Sequence, residues 1–317
     1  MCDEIQTGSG GKRHRVTIIF AGLIVLILMG VGGFGCDADR AEAVRAYNEG
    51  MRAFEMGSTS EAVGLMELAL EEDPSFTDAA YTLGQIYQTR LGNPEEAAHN
   101  FRRAVDAEPD NPWFTYRLGS ALAESGEYRQ AIRFLNHALD EDPNFSRAWY
   151  ALGMSHAAEG EFMDAVNALT KSIETDPRLR LDEDDIGGEH YHALADLYLR
   201  FRLYDHAVRV YENGVRNNPD AIRLHHGLGI SLMHLNRPAD AVESFEAVLE
   251  VEPRHGSANF NIAVAYYESG DLDAAIVQLE DLVESGGAGM NEPRRRAAQA
   301  LLDELQEEEE EEEQEEG

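Results

Sequence analysis

Residues 149–177 read WYALGMSHAAEGEFMDAVNALTKSIETDP, and this segment carries a pattern from which the local structure can be predicted. Its large side chains at Trp149, Leu152 and His156 are spaced i, i+3 and i+7, which places them on one face of a helix. Pro177 ends the stretch, because proline has no backbone N–H for a helical hydrogen bond. The pattern leaves room for two helices before the proline.

Small residues occupy the positions where those two helices would meet. Gly153 in the first helix and Ala165 in the second allow the backbones to approach closely. Gly126, Gly160 and Gly270 stand where turns are expected, since glycine adopts a left-handed conformation at little cost. The stretch therefore predicts a helix-turn-helix unit.

The same pattern recurs along the chain. In the preceding copy it is carried by Leu118, Gly119, Leu122 and Ala131. The prolines that close successive copies are separated by about 34 residues, with one longer interval of 42. They are Pro74, Pro109, Pro143, Pro177, Pro219 and Pro253. A sustained period of this length predicts stacked helical repeats.

This pattern resembles the tetratricopeptide-repeat (TPR) family, whose unit is a helix-turn-helix of the same length. The resemblance implies an all-α fold, an α-solenoid superhelix of about seven TPR units over residues 43–290. A capping helix is expected over residues 291–306, because Ala297, Leu301, Leu302 and Leu305 follow there. The acidic insertion at about 178–188 lacks the spacing of a calcium-binding loop, so a solvated loop is expected.

An uncharged segment near the amino terminus predicts a membrane anchor. Residues 16–35 carry no charge and follow a short basic segment, 1–15, expected in the cytoplasm. Cys36 follows Gly35 and resembles the lipidated residue of a bacterial lipoprotein signal, although Phe34 departs from that motif. Lipidation of Cys36 and an uncleaved transmembrane helix both remain open. Either places the repeats, after a short tether at 36–42, on the non-cytoplasmic side, in the bacterial periplasm or cell envelope.

Composition excludes several classes of function. With 60 acidic and 26 basic side chains the chain repels nucleic-acid backbones, so no nucleic-acid binding is expected. Both cysteines precede the repeats, which excludes a cysteine metal site there. No catalytic motif is present, and we predict neither an enzyme nor a cofactor. The glutamate run at 307–317 predicts a disordered, solubilising tail.

The resemblance also implies a binding surface, because in this family the first helix of each pair lines the concave groove. The residue three before each small position should point into that groove, and in all seven repeats it carries a ring. These residues are Tyr47, Tyr81, Tyr116, Tyr150, His192, His226 and Phe260. We predict that this ladder of rings binds a protein or peptide, although tyrosine is also simply common at this position in the family.

Two functions remain after these exclusions. The first is a membrane-anchored scaffold or adaptor that binds a partner of unknown identity near the membrane and helps assemble an envelope complex. The alternative is an envelope protein that binds a ligand or metal in the histidine-rich groove of the fifth and sixth repeats. That groove is expected to hold His192, Asp196, Arg200, Arg223, His226 and His234. Histidines there are expected to gain charge near pH 6.5.

Overall fold

The computed structural model describes residues 38–181, 187–287 and 289–316. The predicted anchor at 16–35, the Cys36 lipidation site and the centre of the acidic insertion lie outside the described residues. No helix among the described residues is both long enough and apolar enough to cross a bilayer. The chain divides into two compact units, an N-terminal unit that ends at Pro109 and a C-terminal unit that begins at Asp110.

The N-terminal unit contains two helix pairs. Its helices are α1 (38–55), α2 (Thr59–Glu72), α3 (Thr77–Thr89) and α4 (Pro94–Ala107). Within the second pair, the ring of Phe101 from α4 fills the space beside Gly84 of α3, and both residues are buried. The two pairs correspond to the first two predicted repeats.

The C-terminal unit contains five further helix pairs and one terminal helix. The pairs are α5 (Pro112–Glu124) with α6 (Tyr128–Glu141), α7 (Ser146–Glu159) with α8 (Phe162–Thr175), α9 (Glu189–Arg200) with α10 (Tyr204–Asn217), α11 (Ile222–His234) with α12 (Pro238–Val251), and α13 (Gly256–Ser269) with α14 (Leu272–Glu284). The terminal helix is α15 (Glu292–Glu316). The described residues contain no strand, which confirms the predicted all-α repeat fold.

Small residues in the first helices allow close helix packing, as the sequence predicted. A Cβ built on Gly153 would lie 2.6 Å from Cγ of Leu169, and one on Gly229 would lie 2.5 Å from Cε1 of Phe245. Leu169 and Phe245 are fully buried members of the second helices. Each glycine therefore leaves the space that one large side chain of its partner helix fills.

Glycine forms the tight turn between the two helices in several repeats, with φ of 83° at Gly126 and 81° at Gly160. The fifth and sixth repeats differ, because Arg202 and Asn236 take the left-handed conformation there, with φ of 56° and 57°. Asparagine tolerates this conformation, whereas arginine does so at a cost. The turn at Arg202 is therefore locally strained.

The terminal helix closes the C-terminal unit. Ala298, Leu302 and Leu305 are buried and pack in one cluster with Leu279 and Leu282 of α14. Beyond this apolar part, α15 continues to Glu316, through the glutamate run for which we expected disorder. Glutamate has a good intrinsic helix propensity, so the run extends a helix that packing has already nucleated.

Candidate functional site

The seven predicted ring positions are partly exposed, neither buried in the core nor fully in solvent. Tyr47 and Tyr81 belong to the N-terminal unit, and the other five belong to the C-terminal unit. In the C-terminal unit each first helix contacts the first helix of the next repeat. Tyr116, Tyr150, His192, His226 and Phe260 therefore follow one another along a continuous row of helices, which we call the first-helix face.

A second aromatic residue supports some of these rings. The ring of Tyr116 lies 4.8 Å from that of Phe145 and 5.5 Å from that of Trp113, between centroids. In the N-terminal unit, the ring centroid of Tyr47 lies 5.1 Å from that of Phe76. Phe76 and Phe145 each precede the first residue of a first helix, so the supporting ring comes from the turn between repeats.

A cleft of about 460 Å³ opens on the first-helix face where the fifth, sixth and seventh repeats adjoin. We call it the histidine cleft. The residues that give it polar chemistry are Glu189, His192, Arg223, His226, Glu252, His255 and Ser257. Glu252 is the C-cap residue of α12, and the others lie in or beside the first turns of α9, α11 and α13, so three successive repeats contribute to one site.

Ion pairs and hydrogen bonds fix several of these side chains. A guanidinium nitrogen of Arg223 lies 2.6 Å from each carboxylate oxygen of Glu189, which links the sixth repeat to the fifth. Nδ1 of His192 lies 3.0 Å from the hydroxyl oxygen of the buried Tyr211. Arg294 of α15 donates to the hydroxyl of Ser257. The cleft is thus a pre-formed polar surface.

The third histidine of the cleft has a defined hydrogen-bonding role. Nδ1 of His255 accepts a hydrogen bond from the backbone N–H of Ala258, at 3.2 Å, and so caps α13. Because Nδ1 supplies a lone pair, the hydrogen of the neutral ring lies on Nε2. His255 therefore offers a donor from the ring atom that the cap does not use.

Burial suppresses the charge of the other two histidines. Burial lowers the pKa of His192, and Arg223 lowers it further while Asp196 opposes the change. Burial, with His255, Arg294 and His192, lowers the pKa of His226 to about 4. The expectation that histidines here gain charge near pH 6.5 is wrong for His192 and His226. Both rings are neutral hydrogen-bonding groups at neutral pH.

The residues predicted for the histidine-rich groove form only part of the histidine cleft. His192, Arg223 and His226 line the histidine cleft, whereas Arg200 lines a separate cleft beside Phe201 and His234 stacks on Tyr204 with a centroid distance of 4.6 Å. The sequence pattern did not predict Glu189, Glu252, His255 or Ser257. Of these, His255 lies in the turn after Pro253, directly before α13. A signal was present, because this turn also supplies the supporting rings of earlier repeats.

Among the described residues of the histidine-rich groove, no three metal-ligating side chains have donor atoms close enough to share an ion. In the described part of the chain, one group of three His, Asp or Glu residues has its donor atoms close enough for a shared ion: His156, Glu161 and Asp164. This group lies in the fourth repeat, away from His192 and Asp196. The geometry therefore gives no support to metal binding by the fifth and sixth repeats.

Paired helices of similar length, with glycine contacts between them and a row of partly exposed rings, define an α-helical repeat protein. Three family models described as tetratricopeptide repeat match the chain. The first model matches residues 47–112, 192–242 and 226–293. The second matches residues 88–155, and the third matches residues 146–179. The chain belongs to the tetratricopeptide-repeat family, and its repeats form a protein-interaction scaffold of a generally non-enzymatic kind.

Individual relatives match part of this architecture. The type IV pilus assembly protein PilF of Pseudomonas aeruginosa is 30% identical over 123 residues, which cover 35% of this chain. The chain spans 48%, about half, of the length of that relative.

Solved structures share the fold at low sequence identity. The PilF structure from the same organism has a TM-score of 0.52 and 22% identity, and the match covers 69% of this chain and 94% of PilF. A TPR protein from Parabacteroides merdae has a TM-score of 0.55 and 17% identity, with 84% of this chain and 99% of that protein covered. PilW, described as a type IV pilus biogenesis factor, has a TM-score of 0.54 and 18% identity, with 67% and 94% covered. These likenesses concern the fold alone.

Proposed function

We propose that this protein is a membrane-anchored scaffold that binds an extended segment of a partner protein along its first-helix face. The observation that carries the proposal is the row of partly exposed rings on adjoining first helices, which leads to the histidine cleft. In the solenoid geometry of the family this face is the concave groove. A partner held there could be brought to other components of an assembly.

The chemistry of the face suits a peptide backbone together with its side chains. Rings such as Tyr116 and Tyr150 give a large contact area and lose little conformational entropy on binding. The neutral His192 and His226, with Nε2 of His255, offer hydrogen bonds of the kind that peptide amides and carbonyls require. Glu189 and Arg223 form an ion pair, and the lining residue Glu252 and Arg294, which donates to Ser257, carry opposite charges, so the cleft does not select strongly for one sign of charge.

The finer part of the proposal concerns location. Residues 16–35 would anchor the chain, either as a spanning helix or as the signal that leads to lipidation of Cys36. The repeats would then lie on the non-cytoplasmic side, a few residues from the membrane. The names of PilF and PilW refer to pilus assembly and pilus biogenesis, and by that analogy the partner would be a component of an envelope complex.

Site-directed photo-crosslinking in intact membranes tests the binding face. A photoreactive side chain is placed at Tyr150 on the first-helix face or, as the matched control, at the exposed Asn136 on α6. We expect a discrete adduct with one protein from the first position and none from the control. We also expect Tyr150→Ala to reduce co-purification of that same protein by about tenfold or more. Equal adducts from both positions would contradict the proposal.

Fractionation tests the anchor separately. The full-length chain is expected in the membrane fraction, and deletion of residues 1–36 is expected to release it. If the wild type incorporates labelled fatty acid and Cys36→Ala does not, Cys36 is lipidated. If the wild type incorporates no label and Cys36→Ala stays in the membrane fraction, the anchor is a spanning helix. Recovery of the full-length chain in the soluble fraction would contradict anchoring of either kind.

A further inference from the structure

The turn of the fourth repeat gathers three metal-ligating side chains that the proposed binding face does not use. Gly160 takes a left-handed conformation, with φ of 81°, and joins the last turn of α7 to the first turn of α8. His156 lies in that last turn and Glu161 is the N-cap residue of α8. Nδ1 of His156 lies 2.5 Å from a carboxylate oxygen of Glu161.

The carboxylate of Glu161 is directed to the imidazole and not to the helix. Although Glu161 is the N-cap residue, its side chain makes no capping hydrogen bond to α8. The side chain of His156 is 15% exposed and that of Glu161 is 49% exposed, so the ring is fixed and the carboxylate can adjust.

Asp164 completes the group. It follows Glu161 by about one helical turn, and one donor atom from each of the three residues lies within 4.8 Å of the other two. Donors bound to one Zn²⁺ at about 2.1 Å in tetrahedral geometry stand roughly 3.4 Å apart. Small rotations of the two exposed carboxylates would reach this separation, with the Glu161 oxygen moving away from its 2.5 Å contact with Nδ1 of His156.

The fold itself does not require this combination. His156 stands three residues after the small position of its repeat, and no other repeat has histidine there. The corresponding residues are Ala53, Tyr87, Leu122, Tyr198, Leu232 and Tyr266. Glu161 and Asp164 occupy the N-cap of the second helix and the position three residues later, and no other repeat has acidic residues at both positions. The residues at these two positions in the other repeats are Ser58 and Glu61, Asn93 and Glu96, Glu127 and Gln130, Leu203 and His206, Arg237 and Asp240, and Asp271 and Ala274.

We infer that His156, Glu161 and Asp164 bind a single divalent transition-metal ion of the zinc class. One imidazole and two carboxylates are ligands that Zn²⁺ accepts, and three protein ligands leave a coordination position for water or for a donor from another molecule. The ion would take the place of the hydrogen between Nδ1 of His156 and Glu161. The neutral ring would then carry its hydrogen on Nε2.

The surroundings favour a cation. The chain has a formal net charge of −34, which raises the local concentration of divalent ions. Two arginines lie near this turn. The charge of Arg129 is offset by Glu159, at 3.0 Å, whereas Arg200 lines the neighbouring cleft that Gly160 also borders. The site is separate from the rings and the histidine cleft, so it does not depend on the proposed function.

Metal titration of the full-length chain in detergent, after treatment with a chelator, tests the inference. Zn²⁺ is followed by calorimetry, and Co²⁺ by the visible absorption that it acquires on binding protein ligands. We expect one equivalent of tight binding. His156→Gln removes the ligand but keeps a group that can hydrogen-bond to Glu161, and it should weaken binding at least about tenfold. Glu161→Gln and Asp164→Asn should each weaken it to a similar extent.

Two control variants make the result specific. His137→Gln removes an exposed histidine of α6 and His226→Gln removes one from the histidine cleft, and both should bind zinc as the wild type does. Circular dichroism of every variant without metal should match the wild type, so a loss of binding is not a loss of structure. Zinc affinity that is unchanged in His156→Gln, or a wild-type chain that takes up no zinc at micromolar concentration, would overturn the inference.

Discussion

Gly153 and Leu169 fit together with no space for a further atom: a Cβ on the glycine would lie 2.6 Å from Cγ of the leucine and 3.1 Å from its backbone nitrogen. A side chain can rotate away from such a contact, whereas a backbone nitrogen moves only with its helix. The distance between α7 and α8 is therefore set by the absence of one methyl group.

Gly153→Ala should lower the free energy of unfolding by about 1–3 kcal/mol, because α7 and α8 must separate or repack. The measurement is urea denaturation followed by circular dichroism. Gly64→Ala is the matched control, since Gly64 lies in α2 and nothing stands within 4 Å of its added Cβ. That control should raise stability by about 0.5–1 kcal/mol, and a similar loss in both variants would contradict the packing argument.

His226 should make stability depend on pH. Its pKa is about 4 in the folded protein, because of burial, His255, Arg294 and His192, and about 6.5 when unfolded. Between these values the unfolded chain binds a proton that the folded chain does not. The free energy of unfolding is therefore at its full value above pH 6.5. It falls by about 1–2 kcal/mol, after allowance for solvent screening, as the pH falls towards 4.

The corresponding experiment compares urea denaturation at pH 7 and pH 4.5. His226→Gln should lose less stability than the wild type between the two values, because the group that resists protonation is gone. His137→Gln, which changes an exposed histidine of α6, should keep the wild-type dependence. Identical pH profiles for His226→Gln and the wild type would mean that the ring titrates as it does in the unfolded chain.

Arg202→Gly should stabilise the fifth repeat. Arg202 has φ of 56° at the turn position where Gly160 has φ of 81°. Glycine removes the steric cost of this conformation, and we expect a gain of about 0.5–1 kcal/mol, measured by thermal and urea unfolding. Asn236→Gly should change little, since asparagine already tolerates the conformation. A loss of stability in Arg202→Gly would show that the arginine side chain contributes more than its backbone strain costs.

Leu305→Ala should destabilise the C-terminal unit by about 2–4 kcal/mol, because this side chain is buried in the cluster shared by α14 and α15. Removal of residues 307–317, which lie beyond the apolar part of the helix, should leave the unfolding midpoint nearly unchanged. Each change is measured as the shift in urea midpoint of the helical signal. If the truncation costs as much as Leu305→Ala, the glutamate run contributes to packing.

The repeat pattern made most of the fold predictable. Small residues such as Gly153 and closing residues such as Pro177 recur in phase, and each has one local physical reason to be there. The extent of α15 was not predictable in this way. The mutual repulsion of its glutamates argues against a helix, and the buried Leu305 that nucleates it acts only in the folded state.

The candidate site was predictable only in part, because it depends on distances across repeats. The row of rings follows from spacing within one helix. His255, however, joins the histidine cleft from the turn of another repeat, and the pKa of His226 depends on how deeply the ring is covered. Likewise, His156 and Glu161 meet because Gly160 turns the chain between them, a geometry that spacing alone does not fix.

Trp113 stacks on Phe145, at 5.6 Å between ring centroids, so its fluorescence reports on the contact between the third and fourth repeats. The other tryptophan of the chain is Trp149, whose indole N–H donates to the carbonyl oxygen of Pro143 at 2.9 Å. Intrinsic fluorescence thus follows the melting of these two repeats, while circular dichroism averages over all the helices. A difference between the two midpoints would measure how far the array departs from all-or-none unfolding.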